Sequence, residues 1–210
     1  MAEKTVVHLL RHGEVHNPEG VLYGRLPGYH LSANGRAMAV AAADFFSERM
    51  IATVYASPLT RAQETAQPVA ERHGLPITTD DGLIESGNVL EGTAVSLKHL
   101  ARNPANWRYL WNPFTPSWGE PYAEVAARMW AVVERARDSN RGQEAVCVSH
   151  QLPIWVTRLH AERRRLWHNP KARECALGSV TSFTFAGDEL TGVSYAVPAR
   201  DPVREEDAAQ

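Results

Sequence analysis

The sequence predicts an α/β fold, a three-layer αβα sandwich in which helices cover both faces of a mostly parallel central sheet. Three observations carry that expectation. Short, nearly continuous apolar runs alternate along the chain with segments whose apolar residues fall at helical spacing. No repeat of roughly 20 to 50 residues is visible, which argues against a solenoid or propeller. The 210 residues are 44% hydrophobic and 22% charged, an ordinary balance for a chain that folds around its own core.

Thr5–Leu10 is apolar almost throughout, as strands buried on both faces are, and it runs straight into Arg11-His12-Gly13-Glu14. Met38, Ala41, Ala42 and Phe45 lie on one stripe and predict a helix over Gly35–Arg49. A strand follows at Ile51–Ala56. The next helix is punctuated by Ser57 as its cap, Pro58 in its first turn, Gly74 at its end and Pro76 beyond. Val125, Met129, Val132 and Ala136 predict a helix over Glu120–Arg137. Ala145–Ser149 is a second buried strand leading into His150, and a helix is expected over Pro153–His160. A hairpin is expected from Val180–Phe185 and Leu190–Val197 around Ala-Gly-Asp-Glu. Residues 1–197 thus read as one domain carrying an irregular or helical insert at about 87–119 over its active site. The charged, proline-bearing segment 198–210 reads as a flexible tail.

Composition excludes several classes of function. The 22 Lys and Arg against 24 Asp and Glu give a formal charge of −2, with no footprint for nonspecific nucleic-acid binding. Two cysteines, Cys147 and Cys175, are too few for a disulfide framework or a four-cysteine zinc site. The opening MAEKTVVHLLRHGE does not read as a signal peptide, and no stretch approaches the roughly 20 apolar residues of a membrane span. A cytoplasmic protein with no membrane partner is expected; oligomeric state is not legible.

Ligands of open α/β sheets gather beyond the carboxyl ends of the strands. Two strand ends deliver histidines there, His12 and His150. A neutral imidazole is a competent nucleophile toward phosphorus, and the neighbouring Arg11 guanidinium can hold phosphate oxygens through paired hydrogen bonds. Gly13 lets backbone N–H groups approach an anion. Arg61 falls in the first turn of a helix, where the dipole disfavours a cation unless a bound anion lies between them. Glu85 supplies a carboxylate in a loop. Taken singly, each residue also has a plain reading as core-edge histidine, surface arginine or solvated acid.

Together the segments resemble the histidine phosphatase superfamily, the phosphoglycerate mutase-like family. RHGEVHN at Arg11–Asn17, SPLTRAQETA at Ser57–Ala66, LIESGNVLEG at Leu83–Gly92 and VSH at Val148–His150 carry the likeness, in family order. WGEPY at Trp118–Tyr122, followed by Val125 and Arg128, is similar to the Gly-Glu-Ser helix start of the phosphatase branch. The resemblance implies that His12 is phosphorylated in the reaction. It also implies that Arg11, Asn17, Arg61 and His150 bind the phosphoryl group and that Glu85 is the proton donor, with no cofactor or metal. A small phosphorylated metabolite would be the substrate. Two alternatives stand beside a phosphatase: a cofactor-dependent phosphoglycerate mutase and a non-catalytic sensor of a phosphorylated ligand. The tyrosine-glycine step and arginine pair of true mutases are missing from the insert, and a sensor would be expected to have lost His12 or Glu85.

Two positions depart from the family pattern: Val15 stands where a threonine is usual, and Gln151 where a glycine follows Ser-His. His12 and His16 have the i, i+4 spacing of half a zinc site, but Asn17-Pro18 argues for a loop. Cys147 and Cys175 read as structural; Arg163-Arg164-Arg165 with Trp167 and His168 reads as a solvated face, or equally as the lining of a site for an anionic substrate. Trp107, Tyr109, Trp111, Phe114 and Trp118 concentrate aromatics in the insert, either as a substrate lid or as a satellite core. Lys98, Arg102 and Arg108 there could meet a carboxylate or second phosphate, or face water.

Overall fold

The structure, a computed structural model, describes residues 3–88, 91–92 and 119–198. The aromatic and basic residues named in the insert, and the tail beyond Pro198, lie outside the described residues. One six-stranded sheet organises the chain, with β1 (Lys4–Arg11), β2 (Ile51–Ala56), β3 (Ile77–Thr79), β4 (Glu144–Ser149), β5 (Val180–Ala186) and β6 (Glu189–Ala196) in the spatial order β3-β2-β4-β1-β5-β6. The four strands from β3 to β1 are parallel, whereas β5 and β6 form an antiparallel hairpin on the β1 edge.

Side chains alternate across the sheet, so each face has its own core. Leu10, Val54, Val146 and Val148 pack under α1 (Ala33–Phe46) and α2 (Thr60–His73) through Ala42, Phe46, Ala66 and Val69. Val7, Leu9, Ala145, Cys147 and Phe183 pack under α3 (Tyr122–Ser139) and α4 (Gln151–Ala161) through Met129, Val133, Ile154 and Val156. This is the three-layer arrangement expected from the alternation. No helix among the described residues is long and apolar enough to cross a membrane.

Element boundaries differ from expectation for identifiable reasons. α1 begins at Ala33 because Ser32 caps it, its hydroxyl accepting from Gly35 N–H at 3.0 Å, and it ends at Phe46 rather than Arg49. Ser57 is not the cap of α2; Leu59 holds that place without a side-chain bond, and Pro58 lies outside the helix. Gly74 does end α2, in the left-handed conformation at φ 64° that suits glycine. α3 starts at Tyr122 because Pro121 precedes it and the Glu120 carboxylate is drawn to arginines. α4 starts two residues before Pro153, which is tolerated in a first turn. β3, only three residues long and half exposed, carries no periodic signal.

The register places the site. Arg11 of β1 pairs with Ser149 of β4, and Ala56 of β2 pairs with Val148 of β4. The residues that follow each strand, His12, His150 and Ser57, are therefore neighbours at one sheet edge. His12 N–H donates to Ser149 O at 3.1 Å and Ser57 N–H to Val148 O at 3.0 Å, which extends the ladders into the loops.

Candidate active site

His12 is 2% exposed, and its Nδ1 lies 2.7 Å from its neighbour's carbonyl, Gly13 O. A carbonyl only accepts, so Nδ1 carries the proton of the neutral ring and Nε2 is left with a lone pair. Burial, then the Arg61 charge, pushes His12 down to about 3, against the pull of the Gly13 bond, with Arg11 adding to the depression. The ring is thus neutral across ordinary pH. His150 lies against it, the two centroids 5.1 Å apart.

His150 Nε2 is 2.8 Å from Ser57 Oγ, so Ser57 orients an imidazole rather than a helix. Its Nδ1 is buried and has no hydrogen-bond partner among the described residues; Arg11 Nε and Arg61 Nε share that condition. Unpaired buried donors are costly, and three in one place mark a site shaped for an acceptor. Burial, with the charges of His12, Arg61 and Arg11 behind it, holds His150 well below the ordinary histidine value.

Arg61 is 1% exposed, an unusual state for a cation with no carboxylate at ion-pair distance among the described residues. Its Nη2 donates to Gly24 O at 2.7 Å, and the guanidinium lies 4.7 Å over the Tyr23 ring. Arg11 Nη1 donates to Cys175 O at 2.6 Å. Both arginines are aimed by neutral groups, which leaves their charge for the cleft.

Gly13 has a different task from the one its sequence suggests. Its N–H donates to Thr65 Oγ1 at 3.1 Å, so that donor is committed within the protein. A Cβ on Gly13 would stand 2.4 Å from Gly35 O, and one on Gly35 1.9 Å from Glu14 O. The two glycines let the loop after β1 press against the start of α1. Thr65 also donates to Arg61 O at 2.7 Å, which couples that loop to α2. Asn17 bonds Val21 through both ends of its amide, at 2.8 and 3.1 Å, and so shapes the loop that carries Tyr23 and Gly24.

A cleft of about 340 Å³ opens beside His12 and Arg11, with Glu85, Tyr122, Gln151 and Arg173 among its walls. Burial pushes the Glu85 carboxyl above its ordinary value, opposed by the Ser86 N–H bond at 2.8 Å and by the charges of Arg61, Arg11 and Arg173. An ion network holds its loop. Glu120 accepts from Arg128 at 2.8 and 3.0 Å and from Arg25 at 2.9 Å. Arg25 Nε reaches Glu85 O at 2.7 Å, and Arg128 Nη1 reaches Gly82 O at 2.7 Å. Asn88 and Gly119 pair as an antiparallel bridge, so the insert leaves and rejoins the fold at one point beside Glu85.

The structure therefore gathers Arg11, His12, Arg61, Glu85 and His150, while Asn17 is half-buried and bonds Val21 on the cleft wall. Sequence reasoning missed Ser57, Thr65, Tyr23, Arg25 and Arg173 in this setting. Only Thr65 and Ser57 sat inside a quoted motif, and that was the one signal available for them. Arg163–Arg165 are exposed and Cys147 is buried in β4 with its thiol pushed up, as expected of solvated and structural residues. Burial likewise raises Cys175, to about 11. Among the described residues, no three His, Cys, Asp or Glu side chains gather in a set suited to a metal ion.

The sequence model described as "Histidine phosphatase superfamily (branch 1)" matches residues 7–198. The chain belongs to the histidine phosphatase superfamily. The chain is 58% identical over 200 residues to the uncharacterized protein Rv0525 of Mycobacterium tuberculosis, a match that covers 95% of this chain and 99% of that one. It is 30% identical over 192 residues to the "Probable phosphoglycerate mutase GpmB" of Escherichia coli O1:K1 / APEC, covering 83% of each chain. Among solved structures it resembles the mycobacterial glucosyl-3-phosphoglycerate phosphatase Rv2419c, with a TM-score of 0.73, 26% identity, and coverage of 96% of this chain and 100% of that one. Of the two departures from the family pattern, Val15 pairs with Leu31 in an isolated bridge, and Gln151 lines the cleft with its Oε1 3.4 Å from Arg173 Nη1.

Proposed function

We propose that this protein hydrolyses a phosphomonoester through a phosphohistidine on His12, with Glu85 as proton donor and no metal ion or cofactor. One observation carries the reading. An imidazole Nε2 with a free lone pair sits beside three buried nitrogens, Arg11 Nε, Arg61 Nε and His150 Nδ1, that have no partners among the described residues. A phosphoryl dianion satisfies all three donors and offers phosphorus to the lone pair.

The reaction runs in two displacements. His12 Nε2 attacks phosphorus, the phosphorus–ester oxygen bond breaks, and the Glu85 carboxyl gives its proton to the departing oxygen. Arg11, Arg61 and His150 hold charge on the equatorial oxygens, which is most of what phosphoryl transfer demands. With the Ser57 hydroxyl donating to His150 Nε2, the ring proton sits on Nδ1 and faces the phosphoryl group. Water then attacks the phosphohistidine, its proton passes to the Glu85 carboxylate, and the N–P bond breaks to free phosphate. Asn17 acts by shaping the Tyr23–Gly24 loop that holds Arg61.

The substrate is a small phosphorylated metabolite, the setting cytoplasmic, and nucleic acid and membranes take no part. Likeness to a sugar-phosphoglycerate phosphatase supports hydrolysis over isomerisation, whereas likeness to a protein named as a mutase supports the second reading. A mutase retains the phosphoryl group on His12 and returns it to the carbon skeleton. Phosphate release from a panel of phosphomonoesters in excess EDTA, wild type beside His12→Ala, separates the possibilities. Release by wild type alone is expected. Release by both proteins contradicts the role of His12, and isomerised 3-phosphoglycerate without free phosphate establishes the mutase.

A further inference from the structure

We propose that Arg173 forms a second anion subsite at the leaving-group end of the cleft, so that the substrate's alcohol carries a carboxylate or a second phosphate. The inference rests on the phosphatase reading and names its substrate class.

Charge accounting in the cleft leads to Arg173. Among the described residues, the charged side chains on its walls are Arg11, Glu85, Glu120 and Arg173. Glu120 is matched by Arg25 and Arg128. Arg11 joins the buried Arg61 at the phosphoryl group, and Glu85, its carboxyl raised by burial, is the proton donor of the proposed reaction. Arg173 remains, with no carboxylate at ion-pair distance among the described residues. Arg158, by contrast, pairs with Glu162 and Glu174 at 2.9 and 2.7 Å.

Arg173 is nonetheless firmly aimed. Its Nε donates to His168 Nε2 at 2.8 Å and its Nη1 approaches Gln151 Oε1 at 3.4 Å. His168 Nδ1 donates to Leu166 O at 2.6 Å, which fixes the tautomer whose Nε2 accepts, and Tyr122 stacks on that ring at 5.3 Å. Burial lowers His168 and so keeps it neutral. The hydrogen-bond partners of the guanidinium among the described residues are therefore uncharged, and Glu85 feels its charge without reaching ion-pair distance: the cation is oriented and partly desolvated, but not paired. An arrangement of that kind is repaid when an anion binds. The position fits a leaving group, because Gln151 directly follows His150 and the Arg173 charge is felt at the Glu85 carboxyl that protonates the departing oxygen.

Matched ester pairs test this on the full-length protein. Wild type is expected to prefer 3-phosphoglycerate to glycerol 3-phosphate, or fructose 1,6-bisphosphate to fructose 1-phosphate, and the preferred pair tells a carboxylate from a second phosphate. In Arg173→Gln, kcat/KM for the doubly anionic member falls about ten- to a hundredfold more than for its partner, mainly through KM, as loss of a charged hydrogen bond predicts. Arg173→Lys, which keeps the charge, retains most of the preference. Equal losses for both members of each pair, or no preference in wild type, overturn the subsite. Should no ester be turned over, the phosphatase reading falls by itself. Calorimetric binding of the same pairs then decides the subsite: tighter binding of the dianionic member, lost in Arg173→Gln, upholds it, and equal binding overturns it.

Discussion

The two ends of the cleft are built differently. At the phosphoryl end, His12, His150 and Ser57 follow adjacent parallel strands, and Arg61 rises from the first turn of α2; all four are almost fully buried. Their positions are fixed by sheet register and by a helix that cannot shift without breaking the core. At the leaving-group end, Glu85, Gln151 and Arg173 are half-exposed, and two of them stand on loops. Side-chain bonds from Arg25 to Glu85 O, from Arg173 to His168 and between Arg173 and Gln151 hold them there. Chemistry common to all phosphate esters thus rests on the sheet, and discrimination among alcohols rests on pieces that can change without disturbing it.

The largest effect that would break this comparison is at Arg61. Arg61→Ala removes a buried donor and charge from the phosphoryl end, and kcat should fall about 10²- to 10³-fold on every ester alike. Inhibition by inorganic phosphate should weaken with it; an unchanged inhibition constant would take Arg61 out of the site.

Glu85→Gln should discriminate by leaving group. Alkyl phosphates lose about 10²- to 10⁴-fold when a general acid is removed, whereas p-nitrophenyl phosphate, whose leaving group needs no proton, loses far less. The pH profile sharpens the assignment. A raised carboxyl keeps its proton to higher pH, so the alkyl-ester rate falls as pH climbs through the Glu85 value and the acid becomes carboxylate. On the acid side kcat/KM falls only near pH 3, where the free enzyme's His12 takes a proton. In the glutamine variant the alkaline limb should vanish and the acid limb should stay.

The smallest effect is structural. Gly35→Ala drives a methyl toward Glu14 O and should cost about 1–3 kcal/mol of stability in urea unfolding. Gly87→Ala, at the leaving-group end, meets nothing nearer than the Arg25 guanidinium at 3.5 Å and should change stability little. Equal costs at both glycines would remove the contrast between a rigid and a permissive end.

How far the sequence foretold this architecture depends on the range of the interactions involved. Strands β1 and β4 are legible because burial on both faces makes them almost continuously apolar, and a histidine follows each of them directly in the sequence. α1–α4 were legible in existence but not at their ends, where Ser32, Pro121 and the Glu120 ion network decide. Ser57 looked like a cap because serine before a helix usually is one; its partner, His150, stands 93 residues away. Arg25 and Arg173 gave no signal at all. Their roles come from contacts with Glu85, Glu120, His168 and Gln151 that only the fold assembles, and isolated arginines in loops carry no pattern to read. Gly13 was legible as a position needing glycine, but its close approach to Gly35 was not, because only the fold brings that neighbour up.

Trapping the phosphoenzyme tests the central claim most directly. Wild-type protein mixed with a labelled alkyl phosphate, quenched within milliseconds in alkaline detergent and mapped by mass spectrometry, should carry the phosphoryl group on His12 alone, bound through Nε2 and lost on mild acid treatment. Phosphate release without any labelled histidine, or label on another residue with turnover intact in His12→Ala, would contradict the account.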